Sequence, residues 1–420
     1  MDVLDDLAFR GYIFQMTDED KLRRRLAEGQ MTLYCGFDPT ADSLHAGSLV
    51  PIMGLRRFQD AGHKPIALVG GGTGLIGDPS GKAEERQLNS LEIVQAYTEC
   101  QRAQLEKYLD FETRDNPALM VSNYTWLSEL RTIEFLRDVG KHFSMGYMLG
   151  KESVSSRLST GISFTEFSYM VLQAYDFMAL NRKYGCELQI GGSDQWGNIT
   201  AGIELCRRVL HKTMYGLTFP LLEKSDGTKF GKTETGTLWL DPEKTSPYQF
   251  YQFWVNAADR DVVKFLKLFT FLSRERIEEL EREVEARPEK REAQRVLAEE
   301  VTTFIHGAAA KDRAVHISEA LFYGNLRDLN EQEIAEGFSD VPSYALKGVD
   351  EVGLIDLLVD ARISSSRRQA REDIRTGAIY INGERCTDMS HVLKPSERLA
   401  GKYLVMRRGK RRYFLVRWSA

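Results

Sequence analysis

Short apolar runs that contain glycine, or lead directly into it, recur along the first half of this chain. Examples are Leu33–Phe37 and Pro65–Val69, and a stretch of helical periodicity follows each of them. Glu187–Ile190 also leads into glycines. Short buried strands that alternate with helices are typical of a parallel sheet with helices on both faces. The sequence therefore predicts an α/β fold built on a doubly wound parallel sheet, with ligands bound at the carboxyl ends of its strands.

Length and charge predict more than one domain and a polyanionic partner. A chain of 420 residues is expected to form two or three domains. From Asp350 onward the net charge is +6, whereas the preceding 349 residues carry −11. A small basic module on an acidic body indicates that the module binds a polyanion. The five cysteines include no C-x-x-C pair, which fits a cytoplasmic protein without a metal site. The chain starts with acidic residues and has no apolar run of about 20 residues, which fits a protein without a membrane span.

A glycine-rich motif follows the second apolar run. Gly72–Gly77 fits G-x-G-x-x-G, the pattern of dinucleotide-binding turns. In dinucleotide-binding folds an acidic residue ends a second strand about 20 positions further on. Here residues 89–102 have a helical pattern, so no second strand ends with an acidic residue in that region. The glycines alone therefore do not establish a dinucleotide site. Asp78 directly follows them and offers a carboxylate for a ligand ammonium group.

A polar stripe runs along an otherwise apolar helix, Ser163–Met178. Tyr169, Gln173 and Asp176 share one face because they are spaced i, i+4 and i+7. A helix that is apolar on its other faces is buried, so this stripe must face a cavity or polar partners. A phenol, an amide and a carboxylate suit a small zwitterionic ligand. Gly191–Asn198, which directly follows Glu187–Ile190, adds further hydrogen-bond acceptors.

Two segments about 180 residues apart offer groups that bind phosphate. In Phe37–Ser48, His45 stands beside Gly47 where a turn should enter a helix, a position suited to phosphate oxygens. Asp226–Glu234 carries Lys229 and Lys232 on a glycine-flanked loop. Such lysines can stabilise charge that develops on phosphate during a reaction.

These two segments resemble the HIGH and KMSKS motifs of class I aminoacyl-tRNA synthetases. From Tyr34 to about Pro247, and on to the C-terminus, the chain is similar to the bacterial tyrosyl-tRNA synthetases. The matching segments include Tyr-Cys-Gly-Phe-Asp-Pro-Thr, Gly-Leu-Ile-Gly-Asp-Pro-Ser, Gln-Ala-Tyr-Asp-Phe and Gly-Gly-Ser-Asp-Gln-Trp-Gly-Asn-Ile. The resemblance implies a Rossmann-like catalytic domain (1–223), a helical domain with the lysine loop (224–325), a linker (326–342) and a small basic α+β RNA-binding domain (343–420).

The resemblance also implies a role for each candidate site residue. Tyrosine would be bound by Tyr34, Asp78, Tyr169, Gln173, Asp176 and Gln195. Catalysis at the phosphates would use Thr40, His45, Lys82, Arg86, Lys229 and Lys232. ATP would further meet Cys35, Gly36, Asp38, Gly47, Ser48, Gly192, Asp194, Lys232 and Thr233. Tyrosine tRNA would meet Arg367, Arg368, Arg371, Arg375, Arg407 and Arg408. ATP with Mg²⁺, no tightly bound metal, and a homodimer follow from the same resemblance.

One departure from the family pattern leaves an alternative open. The fourth position of the HIGH-like motif is Ser48 instead of histidine, and the second is Ala46 instead of a larger aliphatic residue. A catalytically weak paralogue acting as an RNA-binding regulator or splicing factor would also fit. A tryptophan-specific synthetase is disfavoured by Tyr34 and Asp176, which suit a phenolic hydroxyl. The absence of nucleophile–base clusters fits amino-acid activation, in which the attacking carboxylate is already ionised.

Overall fold

The computed structural model describes residues 2–81, 88–158, 161–225, 227, 230–233, 236–409 and 412–419, with the backbone alone at 232–233. The chain forms two compact units, Met1–Thr245 with Ala257–Leu297 and Ser246–Asn256 with Ala298–Ala420. Helices of the predicted helical domain thus occur in both units. The domain boundaries given above stay predictions.

The strands and helices of the described residues alternate through the first unit, and strands predominate near the C-terminus. The strands are β1 Gln15–Met16, β2 Thr32–Phe37, β3 Lys64–Val69, β4 Leu119–Ser122, β5 Cys186–Gly192, β6 Tyr215–Phe219, β7 Lys232–Thr233, β8 Gly236–Thr237, β9 Ser343–Lys347, β10 Val352–Gly353, β11 Ile379–Ile381, β12 Glu384–Cys386, β13 Val392–Leu393, β14 Tyr403–Arg408 and β15 Arg412–Ser419. The helices are α1 Val3–Arg10, α2 Glu19–Ala27, α3 Leu49–Asp60, α4 Leu91–Leu105, α5 Tyr124–Leu127, α6 Thr132–Asp138, α7 Met145–Leu149, α8 Glu152–Ser155, α9 Phe164–Tyr184, α10 Trp196–Leu210, α11 Pro247–Val255, α12 Asp259–Phe269, α13 Arg274–Ala286, α14 Glu292–His306, α15 Ala308–Tyr323, α16 Glu331–Gly337, α17 Leu354–Asp360 and α18 Arg367–Arg375. None of these helices is both long enough and apolar enough to cross a membrane.

The sheet of the first unit has the strand order β1-β6-β5-β2-β3-β4 within the described residues. Strands β2 to β6 run parallel, and only the short edge strand β1 is antiparallel to its neighbour. From β2 the chain moves outward to β3 and β4, then returns to place β5 on the other side of β2. This reversal creates a crevice at the carboxyl ends of β2 and β5, where ligands bind in such sheets. The predicted doubly wound parallel sheet is confirmed.

Helix α9 carries the predicted polar stripe into the centre of the first unit. The Ser163 hydroxyl caps its N-terminus, and Gly185 ends it in the left-handed conformation with φ of +67°. Met170, Phe177 and Leu180 pack into the core beside Tyr34 and Ile66 of the sheet. The helix is therefore buried on its apolar side, as its composition predicts.

The second unit contains a sheet with the order β12-β11-β14-β15-β9. Strands β11 and β12 form a hairpin, and so do β14 and β15, while β9 pairs with β15 in parallel. Leu357, Ile374 and Trp418 belong to the apolar core between this sheet and helices α17 and α18. The α+β character expected of the C-terminal part of the chain is therefore present, as a helix pair and two hairpins.

The segment predicted as a linker, 326–342, is instead packed. Helix α16 lies within it, and Asn330 and Glu333 cap the start of this helix reciprocally. Leu326, Ile334 and Phe338 are buried in a core that also contains residues of α15, β14 and β15. Gly337 and Pro342 favour a linker, whereas the spacing of the apolar residues and the capping pair specify a helix.

Candidate active site

Four side chains from successive strand ends converge at the crevice of the sheet. Asp38 follows β2, Thr73 follows β3, Asn123 follows β4 and Gln195 follows β5. Parallel strands bring these ends to one edge of the sheet, and α9 places its polar stripe against the same edge through hydrogen bonds to Asp38 and Asn123. The structure therefore brings together predicted residues, such as Asp38, Gln195 and the stripe of α9, with Thr73 and Asn123, which were not predicted.

Asp176 of α9 is a buried carboxyl group held by two donors. Its Oδ1 accepts from the Trp126 indole Nε1 at 2.7 Å, and its Oδ2 accepts from the Asn123 amide at 2.9 Å. Burial raises the pKa of Asp176 to about 7, and the two hydrogen bonds lower it only in part. Sequence analysis missed both donors. The position of Asn123 directly after a strand was the available signal.

Tyr34 lies in the middle of β2 and points into the same core as Asp176. Its ring makes an edge contact with Phe177 at a centroid distance of 5.3 Å. The side chain is fully buried, and among the described residues its hydroxyl has no hydrogen-bond partner. Burial and the nearby Asp176 charge raise the pKa of Tyr34 well above its usual value. The hydroxyl is therefore neutral, and the Asp176 carboxyl group is near enough to affect its pKa.

Asp38 joins the glycine-rich turn to α9. Its Oδ2 accepts from the Tyr169 hydroxyl at 2.7 Å, and its Oδ1 accepts from the Thr73 hydroxyl at 2.7 Å. Thr73 in turn accepts from Asn123 at 2.9 Å, so this network reaches Asp176 through Asn123. Burial, together with Asp38 and Asp78, raises the pKa of Tyr169. Thr73, like Trp126 and Asn123, was not predicted from the sequence.

Asp78 and Gln195 form the opposite wall of the crevice. The Gln195 amide donates to Asp78 Oδ2 at 2.7 Å, while the Ser80 amide N–H donates to Oδ1 at 2.9 Å. Gln195 also accepts from Gln173 at 3.3 Å and from Asn198 at 3.2 Å. A carboxylate and two amides thus face one region, a set that can bind both an ammonium and a carboxylate group.

The residues predicted to meet adenosine lie around the ends of β2 and β5. Cys35 is buried, and burial raises the pKa of its thiol to about 12. Gly36 is exposed and leaves the strand surface without a side chain. A Cβ atom at Gly192 would lie 2.4 Å from Asp194 Oδ1, so a larger residue here would displace the Asp194 carboxylate. Thr40 is exposed in the loop after β2.

His45 begins a short 3₁₀ turn, Ala46–Ser48, that leads into α3. Its Nδ1 accepts from the Gly47 N–H at 3.0 Å, so the neutral ring carries its proton on Nε2. Ser48 Oγ accepts from the His45 N–H at 3.5 Å. The Ala46 N–H donates to the Leu238 carbonyl at 2.9 Å, and a Cβ at Gly231 would lie 3.2 Å from the Ala46 Cβ. The segment after the lysine loop therefore lies against the histidine motif.

Several predicted phosphate-binding side chains cannot be placed. Lys82, Arg86 and Lys229 lie outside the described residues. Lys232 and Thr233 are described in the backbone alone, as strand β7 paired with β8. Their roles stay predictions.

The predicted RNA-binding arginines fall into two groups. Arg367, Arg368, Arg371 and Arg375 are exposed on α18, where Arg367 pairs with Asp356 and Arg375 with Glu372. Arg407 lies over the Tyr380 ring at 3.8 Å. Arg408 differs, because its guanidinium donates to the buried Asp373 carboxylate at 2.9 Å and to the Ile363 carbonyl at 3.0 Å. Arg408 therefore has a structural role within this unit, and its RNA contact stays a prediction.

Known families match almost the whole chain. The family described as "tRNA synthetases class I (W and Y)" matches residues 26–323, and the "Tyrosine--tRNA ligase SYY-like C-terminal domain" matches residues 333–416. The tyrosine–tRNA ligase of Geobacillus kaustophilus (strain HTA426) is 60% identical over 420 residues and is covered over 100% of both chains. Tyrosine–tRNA ligase 1 of Bacillus subtilis (strain 168) is 57% identical over 419 residues, 99% of each chain.

Solved structures agree with this match. A C-terminally truncated mitochondrial tyrosyl-tRNA synthetase of Aspergillus nidulans has a TM-score of 0.69 at 31% identity, covering 76% of this chain and 94% of that one. The tyrosyl-tRNA synthetase of Archaeoglobus fulgidus, complexed with L-tyrosine, shares the fold at a TM-score of 0.56 and 16% identity, covering 74% and 99%. The chain therefore belongs to the class I tRNA synthetases of the tyrosine and tryptophan family and, within them, to the bacterial tyrosine–tRNA ligases.

Proposed function

We propose that this ligase forms tyrosyl-adenylate from L-tyrosine and ATP in the crevice between β2 and β5, and then transfers tyrosine to the 3′ end of its tRNA. The observation that carries the site assignment is the pair formed by Tyr34 and Asp176. Tyr34 belongs to an apolar core and its hydroxyl has no partner among the described residues, while the buried Asp176 is near enough to affect the pKa of that hydroxyl. Such a pair is costly unless a ligand supplies the missing hydrogen bonds.

The phenolic hydroxyl of tyrosine fits this pair. It would donate to the Asp176 carboxylate and accept from the Tyr34 hydroxyl. Phenylalanine has no hydroxyl and would leave both groups unpaired in a dry pocket, which disfavours it strongly. Tyrosine-specific synthetases are the known example of this effect, with roughly 10⁵-fold discrimination against phenylalanine and no editing site. The enzyme would then discriminate tyrosine from phenylalanine both when the amino acid binds and when it is activated.

The other end of the amino acid would meet the opposite wall. Asp78, Tyr169 and Gln173 would hold the ammonium group, and Gln195 would approach the carboxylate. The buried oxygen Oε1 of Gln173 has no partner among the described residues, which suits an ammonium donor. Asp38, Gly192 and Asp194 would bind adenosine, with Cys35 and Gly36 beside the ribose.

The reaction requires positioning rather than a base. The tyrosine carboxylate attacks the α-phosphate directly, and pyrophosphate leaves. His45 Nε2 can donate to a phosphate oxygen, and the Ser48 hydroxyl lies one turn further on. Thr40, Lys82, Arg86, Lys229 and Lys232 would add hydrogen bonds and positive charge as pyrophosphate forms. Mg²⁺ would bind through the ATP phosphates, because this ion usually combines one or two carboxylates with substrate phosphates.

The remaining partners follow from surface features. Exposed arginines on α18 form a basic helix face suited to the tRNA backbone. A homodimer is proposed because the segment 133–164 exposes large apolar side chains, which commonly mark a protein interface; they are Ile133, Leu136, Met145, Leu158 and Phe164. A cytoplasmic location fits the free cysteines, since disulfides are rare there.

ATP–pyrophosphate exchange measured with each of the twenty amino acids tests the proposal. We expect exchange with tyrosine alone, followed by charging of tyrosine tRNA. Exchange with tryptophan or phenylalanine at a similar rate would overturn the specificity assignment. No exchange with any amino acid would revive the alternative of an RNA-binding paralogue, for which the matched ligases offer no support.

A further inference from the structure

Helix α12 contacts the chain on both sides of Lys229. On the N-terminal side, the Ser225 hydroxyl donates to Asp261 Oδ2 at 2.7 Å, and the Ser225 N–H donates to the same carboxylate at 3.2 Å. On the C-terminal side, buried Phe230 stacks on Phe269 at a centroid distance of 5.1 Å and meets Phe265 at 5.2 Å. Helix α12 thus contacts Ser225, four positions before Lys229, and Phe230, one position after it.

Asp261 is well suited to hold Ser225. It lies in the first turn of α12, where the helix dipole favours negative charge. Its side chain is only 6% exposed, so the carboxylate depends on protein donors for solvation. Hydrogen bonds to a charged group are stronger than neutral ones, and among the described residues Ser225 supplies both a hydroxyl and an N–H donor to Asp261. The contact therefore constrains the backbone of Ser225 as well as its side chain.

Helix α12 is itself fixed to the helix that follows the histidine motif. Arg57, near the end of α3, donates to the Thr270 carbonyl at 2.5 Å. Arg10 at the end of α1 donates to the Leu272 carbonyl at 2.8 Å. Both guanidinium groups thus bind carbonyls just beyond the C-terminus of α12, where the helix dipole is negative. Asp261 consequently has a defined position relative to the turn that carries His45.

We propose that Asp261 is a positioning residue for adenylate formation, which acts through Ser225 to place the lysine-bearing segment at the phosphates. The inference rests on the phosphate role proposed above for Lys229. Lysines that meet pyrophosphate chiefly in the transition state contribute to turnover and not to tyrosine binding. Loss of the Ser225–Asp261 contact should therefore lower kcat for activation and leave the KM for tyrosine unchanged.

The test measures tyrosine-dependent ATP–pyrophosphate exchange in the full chain, with kcat expressed per active site from the burst of tyrosyl-adenylate. Asp261→Asn should lower kcat by about tenfold and Ser225→Ala by about threefold, with the KM for tyrosine within twofold of wild type. The double variant should be no slower than Asp261→Asn alone, because both changes remove one contact. Asp259→Asn is the matched control: it lies in the same helical turn but binds Gln294 at 2.7 Å, and should leave kcat and KM within twofold.

The following results would overturn the inference. If Ser225→Ala and Asp261→Asn both keep kcat within twofold of wild type, Asp261 has no positioning role. If Asp259→Asn slows activation as much as Asp261→Asn, the effect belongs to the helix N-terminus and the inference is equally overturned. Lys229→Ala separates this inference from the proposed function. A slow Lys229→Ala enzyme beside a normal Asp261→Asn enzyme rejects the inference alone, whereas a normal Lys229→Ala enzyme rejects the lysine role first.

Discussion

The indole nitrogen of Trp126 donates a hydrogen bond to Asp176 at 2.7 Å, although the two residues lie 50 positions apart in the sequence. Asn123 occupies the other carboxylate oxygen at 2.9 Å. These two donors fix the orientation of a buried carboxyl group and leave its remaining lone pairs for a ligand. The phenol recognition proposed for Asp176 would therefore depend on a strand end and on α5 as well as on α9.

Asp176→Asn and Tyr34→Phe should each weaken the discrimination of tyrosine from phenylalanine. Each change removes one buried hydrogen-bond partner of the phenol, worth about 1–3 kcal/mol. The ratio of kcat/KM for tyrosine over that for phenylalanine measures the effect. Asp110→Asn, an exposed carboxylate in the loop between α4 and β4, serves as a control and should not change the ratio. An unchanged ratio in both pocket variants would contradict the assignment of the phenol site.

Asp176 should make the folded state less stable as pH rises from about 4 to about 7. Its pKa is raised from 3.8 to about 7 by burial, so in this window the folded chain binds more protons than the unfolded chain. The unfolding free energy therefore falls with rising pH, by at most a few kcal/mol. Asp176→Asn removes this titration, so its stability relative to wild type should increase between pH 5 and pH 8.

Denaturant unfolding at pH 5, 6, 7 and 8 measures this difference. Tyr34→Phe retains the carboxyl group and should keep the pH dependence of the wild type. If the stability difference between Asp176→Asn and wild type is the same at pH 5 and pH 8, Asp176 is ionised throughout. The raised pKa would then be wrong.

The sheet and the polar stripe were predictable from local patterns. Apolar runs that lead into glycine mark buried strands, and the spacing of Tyr169, Gln173 and Asp176 places them on one helix face whatever the tertiary context. Strand ends of a parallel sheet meet at one edge, so the general location of the site followed as well.

The partners of those residues were not predictable in the same way. Trp126 and Asn123 lie after a strand without a strong sequence signal, and their contacts with Asp176 depend on how α9 packs across the sheet. The role of Arg408 likewise depends on a tertiary contact, because in sequence it is one member of a basic run. Arginine in such a run is equally compatible with RNA binding and with a buried ion pair.

Lys229→Ala and Lys232→Ala should lower kcat for activation far more than they raise the KM for tyrosine. Their proposed partner is the pyrophosphate that forms in the transition state, so they contribute differential binding. Steady-state exchange kinetics at varied tyrosine and ATP measure both constants. Lys244→Ala is the control, since this lysine pairs with Asp42 at 2.7 Å and should leave kcat unchanged. Equal effects on KM for tyrosine and on kcat would argue against a phosphate role.

Reversing charge at Arg368 and Arg371 should weaken tRNA binding without slowing tyrosyl-adenylate formation. Both side chains are exposed on α18, one turn apart, and can contact successive phosphates. Binding of tyrosine tRNA measured at several salt concentrations should show lower affinity and a shallower salt dependence for Arg368→Glu with Arg371→Glu. Arg408→Ala should instead lower the unfolding midpoint, because it removes the guanidinium partner of the buried Asp373 carboxylate, which also accepts from Ser364 and Gln369. Unaltered tRNA affinity in the double variant would mean that α18 is only a solvated basic helix.

Deleting residues 343–420 would give a less specific test of the same module. Leu399, Val405 and Leu415 from that segment pack against Ile317 and Phe338 in one core. Their removal would expose this apolar surface and destabilise the helices that remain. Loss of tRNA charging in the truncated chain should therefore be accompanied by a lower unfolding midpoint, whereas the charge-reversal variants should keep the midpoint of the wild type.

Ser48→His should raise the rate of tyrosine activation by a few-fold. Ser48 occupies the fourth position of the HIGH-like motif, where the family usually has a histidine that donates to the nucleotide. The serine side chain is shorter, and reaching the nucleotide through a water would cost roughly 1 kcal/mol. Its present contact is a long hydrogen bond of 3.5 Å from the His45 N–H, which can be given up at little cost.

The measurement is the single-turnover rate of tyrosyl-adenylate formation at saturating ATP, with the KM for ATP measured alongside. Ser48→Ala is the matched variant: it removes the hydroxyl without adding a ring and should slow activation slightly. A slower Ser48→His enzyme, or one with a raised KM for ATP, would show that the space beside Ala46, which is fully buried, has been packed around serine. In that outcome the small residues at positions 46 and 48 form a matched pair, and restoring activity would require exchanging both together.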